Sequence, residues 1–202
     1  MSEKILDIAE LDVVYLSYDE PQCEEFWADL LNKVPWAKRV HGVHGSDNAH
    51  RAVGEKSETE RFILVDGDNT VDPNFFNQQL VITPQTENAT FRWRGYNVIN
   101  GLLYGNGGLS SWTKKFVSTM NSHENSDPDN NEGQIEFCFG GSHGRYMPMH
   151  NCYSTSHPNG SALHSWRAGF REGVKMSSDR GKKVPNPEFK FTMVQQNLNN
   201  LC

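Results

Sequence analysis

Apolar positions cluster unevenly along the chain, and the clusters alternate in kind. "LDVVYLSYDE" opens with a run of β-branched and aromatic residues, a buried-strand pattern over residues 11–17. "EPQCEEFWADLLNKV" then places Phe26, Trp27, Leu30 and Leu31 at helical spacing, with Pro21 in the first turn, Glu24 and Glu25 near the positive end of the helix dipole, and Pro35 as the stop. "AKRVHGV" predicts a second strand. "GSDNAHRAVGEKSET" predicts a helix entered through Ser46 or Asp47 as cap. "RFILVD" is a third strand, continuous in its apolar character. Residues 11–66 thus read β-α-β-α-β, the alternation expected of a parallel, doubly wound sheet.

Beyond residue 66 the pattern changes. "QQLVITP", "TFRWRGYNV" and "QIEFCF" are strand-like runs without regular helices between them. Residues 105–113, "GNGGLSSWT", predict a glycine-rich turn leading into a helix over "SSWTKKFVSTM". Residues 121–134 are polar, acidic and rich in turn formers, the composition of a loop or lid. "ALHSWRAGFREGVKM" predicts an amphipathic helix with Trp166, Phe170 and Val174 at i, i+4 and i+8. A second stripe, Arg167, Arg171 and Lys175, repeats at the same spacing, and from Ser177 onward the tail is weakly patterned.

Composition narrows the class. With 202 residues, 36% hydrophobic and 22% charged, the chain suits one medium-sized domain and not a disordered polyelectrolyte. A net charge of −6 argues against a strong non-specific nucleic-acid binder. Cys23, Cys138, Cys152 and Cys202 form no C-x-x-C pair, so neither a zinc site nor a redox pair is indicated, and reduced thiols in a cytosol-like compartment are expected. No apolar stretch approaches the ~18 residues of a membrane span, and no membrane partner is expected.

The candidate chemistry lies where the third strand ends. "RFILVDGDNTVDP" puts Asp66 and Asp68 around Gly67 at the strand exit, with Asp72 beyond. In open α/β sheets ligands bind at the carboxyl ends of the strands. Two carboxylates one residue apart suit a hard divalent cation, Mn²⁺ or Mg²⁺, which completes its shell with phosphate oxygens. Four readings compete. One is a plain polar turn. An EF-hand loop fails, because Val71 and Asn77 stand where Gly and Glu are required. "ILVDGDNTV" also matches the D-x-D-x-T pattern of the haloacid-dehalogenase superfamily, with Asp66 as a phosphoryl-accepting nucleophile. In that superfamily, however, the motif follows the first strand.

The fourth reading is a nucleotide-sugar site. D-x-D closing the third strand of a β-α-β-α-β unit, the segment "NGLLYGNGGLSSW" and the helix "WRAGFREGVK" together resemble glycosyltransferases of the GT-A fold, over roughly residues 11–176. They resemble in particular the small transferases of tailed bacteriophages that glycosylate modified DNA bases. The resemblance implies a single GT-A-like domain over 1–202, with a mostly parallel sheet flanked by helices. Residues 11–80 form its nucleotide-sugar half, 81–176 a smaller mixed acceptor-side half, and 177–202 a tail.

By the same resemblance the donor is a UDP-linked sugar and the acceptor a hydroxyl such as that of 5-hydroxymethylcytosine in DNA, reached by base flipping. The setting implied is host cytoplasm, and a homodimer is compatible. Asp66, Asp68 and, from the C-terminal helix, His164 are the implied metal ligands. Tyr18, Asp19, Arg51, Gly67, Gly107, Gly108, Trp112, Arg167 and Arg171 contact the donor, with Trp112 against the sugar and the arginines toward phosphate. An inverting mechanism needs a carboxylate base, and Asp129, Glu132 and Glu136 are its candidates. A non-catalytic nucleotide- or DNA-binding module is the remaining alternative.

Overall fold

A computed structural model of the chain describes residues 3–105, 108–120, 122 and 146–177. In chain order the elements are β1 (Lys4–Asp7), β2 (Asp12–Ser17), α1 (Cys23–Lys33), β3 (Lys38–His41), α2 (Ser46–Lys56), β4 (Arg61–Asp66), β5 (Asn69–Val71), β6 (Gln79–Ile82), β7 (Thr90–Asn97), β8 (Leu103–Tyr104), β9 (Leu109–Thr113), α3 (Lys114–Thr119), β10 (Tyr146–Ser156) and α4 (Ala162–Met176). Short 3₁₀ turns follow β1 and β5.

The expected β-α-β-α-β unit is present as β2-α1-β3-α2-β4. Parallel β3 and β4 flank β2. The continuous apolar runs of β2 and β4 reflect burial on both faces. Val13, Tyr15, Ile63 and Val65 enter one core with Phe26 and Leu30 of α1. Val14, Phe62 and Leu64 enter a second core with Val53 of α2 and Val117 of α3.

The sheet as a whole is mixed, not mostly parallel. Its order is β3-β2-β4-β9-β7-β10-β5, with β8 on β7, and three of its seven ladders are parallel. Antiparallel β9 fills the place between β4 and β7, so β2, β3, β4, β7 and β10 all point one way. Only Gly67 and Asp68 separate β4 from β5, yet β5 pairs with β10 at the far edge, so the sheet curls back on itself. β1 and β6 form a separate antiparallel ribbon.

Three local expectations change. "LSSWT" is strand β9, and the helix predicted over "SSWTKKFVSTM" shortens to α3. Ser111 Oγ takes a hydrogen bond from buried Arg61 (3.2 Å), and Ser110 Oγ one from Trp112 Nε1 (2.6 Å), so β9's polar residues are satisfied inside the sheet. β10 carries no clear alternation and was not legible as a strand; its side chains are mostly half-exposed. The α2 cap is Gly45 at φ +88°, and Asp47 instead accepts the Ser122 amide at 2.8 Å. The expected strand 134–139 and the acidic loop lie outside the described residues, apart from Ser122. Among the described residues no helix is long and apolar enough to cross a membrane.

Candidate functional site

The turn after β4 is held by three distant parts of the chain and by its own neighbour Asn69. The Asp66 amide donates to the Gly108 carbonyl at 2.8 Å, and Tyr15 Oη donates to the Gly67 carbonyl at 2.7 Å. The Asp68 carbonyl accepts from the His157 amide at 2.8 Å, while Asn69 Nδ2 donates to Asp68 Oδ1 at 2.6 Å. Two glycines let these parts meet. A Cβ on Gly67 would lie 2.7 Å from Glu20 Oε2 and 2.9 Å from Ser17 Cα. Gly108 has φ +56°, and a Cβ there would fall 2.2 Å from Asn69 Nδ2. Gly67→Ala is therefore expected to cost about 1–3 kcal/mol, because the turn must move off β2. Urea unfolding of the two proteins checks this; an unchanged midpoint would mean the turn moves freely.

Asp66 and Asp68 line a cleft of about 660 Å³ at the carboxyl ends of β2 and β4. Helix α4 contributes His164, Arg167 and Arg171 to the same lining. Carboxylates and cations thus share the wall of one space large enough for a nucleotide-sized ligand. Asp66 is partly buried, and among the described residues no cation lies within ion-pair distance of it. Burial pushes its carboxyl up to about 7; Arg92 and Arg171 act against this, and Asp68 and Glu20 with it. Ionising Asp66 is therefore costly, and a bound cation would relieve that cost. Two oxygen-only side chains with Glu20 beside them form a donor set that fits a hard divalent ion.

His164 is placed differently from expectation. Its Nδ1 sits 2.6 Å from Ser161 Oγ, and its buried Nε2 has no hydrogen-bond partner, with Asp19 Oδ1 3.5 Å away. Asp66, Asp68 and His164 do not bring their ligand atoms together. Among the described residues the only such set of three within 4.8 Å is Cys23, Glu24 and His41. Arg39 already occupies that set: its Nη2 lies 2.7 Å from Glu24 Oε1, 3.2 Å from His41 Nδ1 and 3.5 Å from Cys23 Sγ. A guanidinium at the centre supplies the positive charge a metal would bring.

The other expected residues divide. Tyr18 lines the cleft, half-exposed, edge-on to His44. Asp19 turns toward α4, near His164 and 3.8 Å from Arg167 Nη1, and is not on the cleft wall. Arg51 leaves the cleft and donates to the Met120 carbonyl at 3.2 Å and Asn48 Oδ1 at 3.3 Å, tying α2 to the end of α3. Trp112 is a core residue, 1% exposed, packed on Phe116 and His50. It faces the second core because alternation along β9 turns it away from the first. Gly107, Asp129, Glu132 and Glu136 lie outside the described residues.

Sequence reasoning missed several participants. Glu20, His44, His50 and His157 line the cleft, and Arg92 is the strongest cationic influence on Asp66. Only Glu20, two residues beyond Tyr18, carried a positional signal. The rest come from loops, a helix and a strand whose approach depends on the curl of the sheet.

No protein-family model matches the chain, and no curated protein matches it in sequence. Three solved structures align with the chain over most of its length. A glycosyltransferase involved in glycosylation of the major capsid of PBCV-1 has TM-score 0.43 and 15% identity, over 81% of this chain and 100% of that one. HddC from Yersinia pseudotuberculosis has TM-score 0.36 and 12% identity, over 82% and 80%. The inositol-1-phosphate CTP transferase from T. maritima has TM-score 0.28 and 12% identity, over 81% and 77%. At this degree of similarity the activities of these proteins do not transfer to the chain.

Proposed function

We propose that the chain is a metal-dependent nucleotide-sugar transferase whose donor diphosphate lies between the Asp66–Asp68 turn and α4. One observation carries this reading: two carboxylates, one charged only at a cost, line a single cleft together with His164, Arg167 and Arg171. A diphosphate alone would be repelled by the turn, and a cation alone would be repelled by the helix. Together they satisfy both walls.

Asp66 and Asp68 would hold Mn²⁺ or Mg²⁺, which when bound offsets the charge of a departing nucleoside diphosphate. The remaining steps belong to side chains of the chain. Arg167 and Arg171 engage phosphate oxygens from the opposite side. Tyr18 and His44, at the β2 exit and before α2, offer aromatic surface for a base. Asp19 holds the α4 entrance in place through His164 and Arg167. The acceptor is a hydroxyl, and 5-hydroxymethylcytosine in DNA is the acceptor carried from the sequence resemblance. Its activating base is sought at Asp129, Glu132 or Glu136.

Thermal melting with a panel of nucleotide sugars, with and without Mn²⁺, tests the reading. A ligand at a hundredfold its Kd stabilises by about 2.7 kcal/mol, or roughly 5–10 °C in a domain of this size. UDP-sugar plus Mn²⁺ is expected to give that shift and neither alone more than a fraction of it. Asp68→Asn is expected to lose the shift while melting cooperatively without ligand. A variant that responds like the wild type removes the metal from the proposal. An aspartyl adduct at Asp66 after beryllofluoride treatment would replace transfer with phosphatase chemistry.

A further inference from the structure

Asp19 stands between two donors of α4 and is hydrogen-bonded to neither. Its Oδ1 lies 3.5 Å from His164 Nε2 and its Oδ2 3.8 Å from Arg167 Nη1. Both separations exceed those of a formed N–H···O bond, for which about 2.7–3.2 Å is usual. The carboxylate is more than half exposed, so water competes for it. His164 is mostly covered, and its Nε2 is buried without a hydrogen-bond partner. α4 turns this polar side to the cleft, while its apolar stripe, with Trp166 63% and Phe170 62% exposed, faces water.

The hydrogen-bond network assigns the proton of the His164 ring. Ser161 Oγ accepts from the His164 amide at 3.2 Å and lies 2.6 Å from Nδ1. Among the described residues Nδ1 is the acceptor within reach of the Ser161 hydroxyl, so the hydroxyl donates to it. The neutral ring then carries its proton on Nε2, and a protonated ring carries one there too. Either way Nε2 is a donor without an acceptor, and a nitrogen that keeps its proton does not ligate a metal. The surroundings fix these donors and leave the carboxylate free to turn. A Cβ on Gly160 would lie 3.1 Å from Pro21 Cδ, so the loop before α4 packs closely on the residue two after Asp19. In the same loop the His157 amide donates to the Asp68 carbonyl at 2.8 Å. His164 and Arg167 line the cleft and Asp19 does not. Turning the Asp19 side chain into water therefore opens a place between two donors at the cleft margin.

We infer that this place is a phosphate subsite, on the reading that the cleft takes a phosphorylated ligand. Asp19 fills it loosely in the ligand-free chain and gives it up when a phosphate group arrives. One phosphate oxygen then accepts from His164 Nε2 and another from Arg167, at the shorter distances that charge-assisted bonds adopt. Ser161, which holds the ring and its proton in place, is a positioning residue. Asp19 is an internal competitor, so its removal strengthens binding. The donor contact that the sequence resemblance implies for Asp19 has the opposite sign, since losing a contact weakens binding.

Titration calorimetry with inorganic pyrophosphate and Mg²⁺ tests this on the full chain. Asp19→Asn and Asp19→Ala are each expected to bind at least about fivefold tighter than wild type, because a carboxylate beside bound phosphate is repulsive. Glu10→Gln makes the same change in net charge before β2, at the end away from the cleft, and is expected to bind like wild type. His164→Asn keeps an amide near Ser161 and removes the Nε2 donor. On that background Asp19→Asn is expected to change affinity by no more than about twofold, since the two residues act through one place. Equal or weaker binding by both Asp19 variants overturns the inference, as does the lack of pyrophosphate binding by any of these proteins. A gain that Glu10→Gln reproduces, or that persists with His164→Asn, overturns it too, because general repulsion then explains the effect. The transfer reading fails separately. Tighter binding by the Asp19 variants with no Mn²⁺-dependent response to UDP-sugars keeps the subsite and removes the transferase. A UDP-sugar response that Asp19→Asn leaves unchanged, with pyrophosphate affinity also unchanged, keeps the transferase and removes the subsite.

Discussion

Asp66→Asn is expected to slow transfer about 10²–10³-fold while making the ligand-free protein more stable at pH 8. The two effects have one cause. At pH 8 the wild-type carboxylate is ionised in a partly buried position beside Asp68 and Glu20. Asparagine keeps the shape and removes the charge, which is expected to gain on the order of 1 kcal/mol, or about 2–4 °C. Without the carboxylate, the cation and diphosphate lose an anchor, and turnover should fall by about 10²–10³. The pH dependence follows from the same shift. Because the folded carboxyl titrates near 7 and the unfolded one near 3.8, the folded state holds an extra proton between these values. This stabilisation is full below the lower value and is lost as pH rises through 7. The stability gap between wild type and Asp66→Asn should therefore close toward pH 5. The Mn²⁺-dependent shift should run the opposite way, growing as Asp66 deprotonates. Melting curves from pH 5 to 8 give both slopes; a variant less stable than wild type at pH 8 would remove the stored charge from the account.

Trp112→Ala is expected to cost about 3–5 kcal/mol, a large part of a typical domain's stability. The ring is buried between α2 and α3, Arg92 lies 5.8 Å from its centre, and its Nε1 donates to Ser110 Oγ. Trp112→Phe keeps much of the volume and should retain the donor-induced shift at a lower starting melting point. A residue that lined the sugar pocket would behave in the reverse manner, losing the shift with little change in stability. Melting Trp112→Phe with and without UDP-sugar and Mn²⁺ separates the two roles.

Much of the N-terminal half was legible in the chain. β2 and β4 are continuous apolar runs because both faces are covered, and a run of that kind needs no knowledge of its neighbours. α1 declares itself by spacing and by Pro35. The D-G-D turn was locatable because the carboxylates begin where the apolar run stops. The C-terminal half was harder. "LSSWT" reads equally as turn, helix or strand, and only the slot between β4 and β7 makes it β9. β10, with Pro148 and Asn151 in mid-strand, lacks the alternation that would mark it, and its ladder to β7 is interrupted by register shifts. Arg51 lies on the helix where it was expected, but a helix has several faces, and the one carrying Arg51 meets Met120.

By itself the sequence determined the β-α-β-α-β unit, the acidic turn at its exit and an amphipathic last helix, since each depends on residues within one turn or strand of one another. Tertiary structure alone decided that α4 brings its arginines to that turn while leaving its aromatics in water. It likewise decided that Trp112 is core and that Asp66 is costly to ionise. These are consequences of where a curled sheet carries segments distant in sequence, and local periodicity holds no record of that.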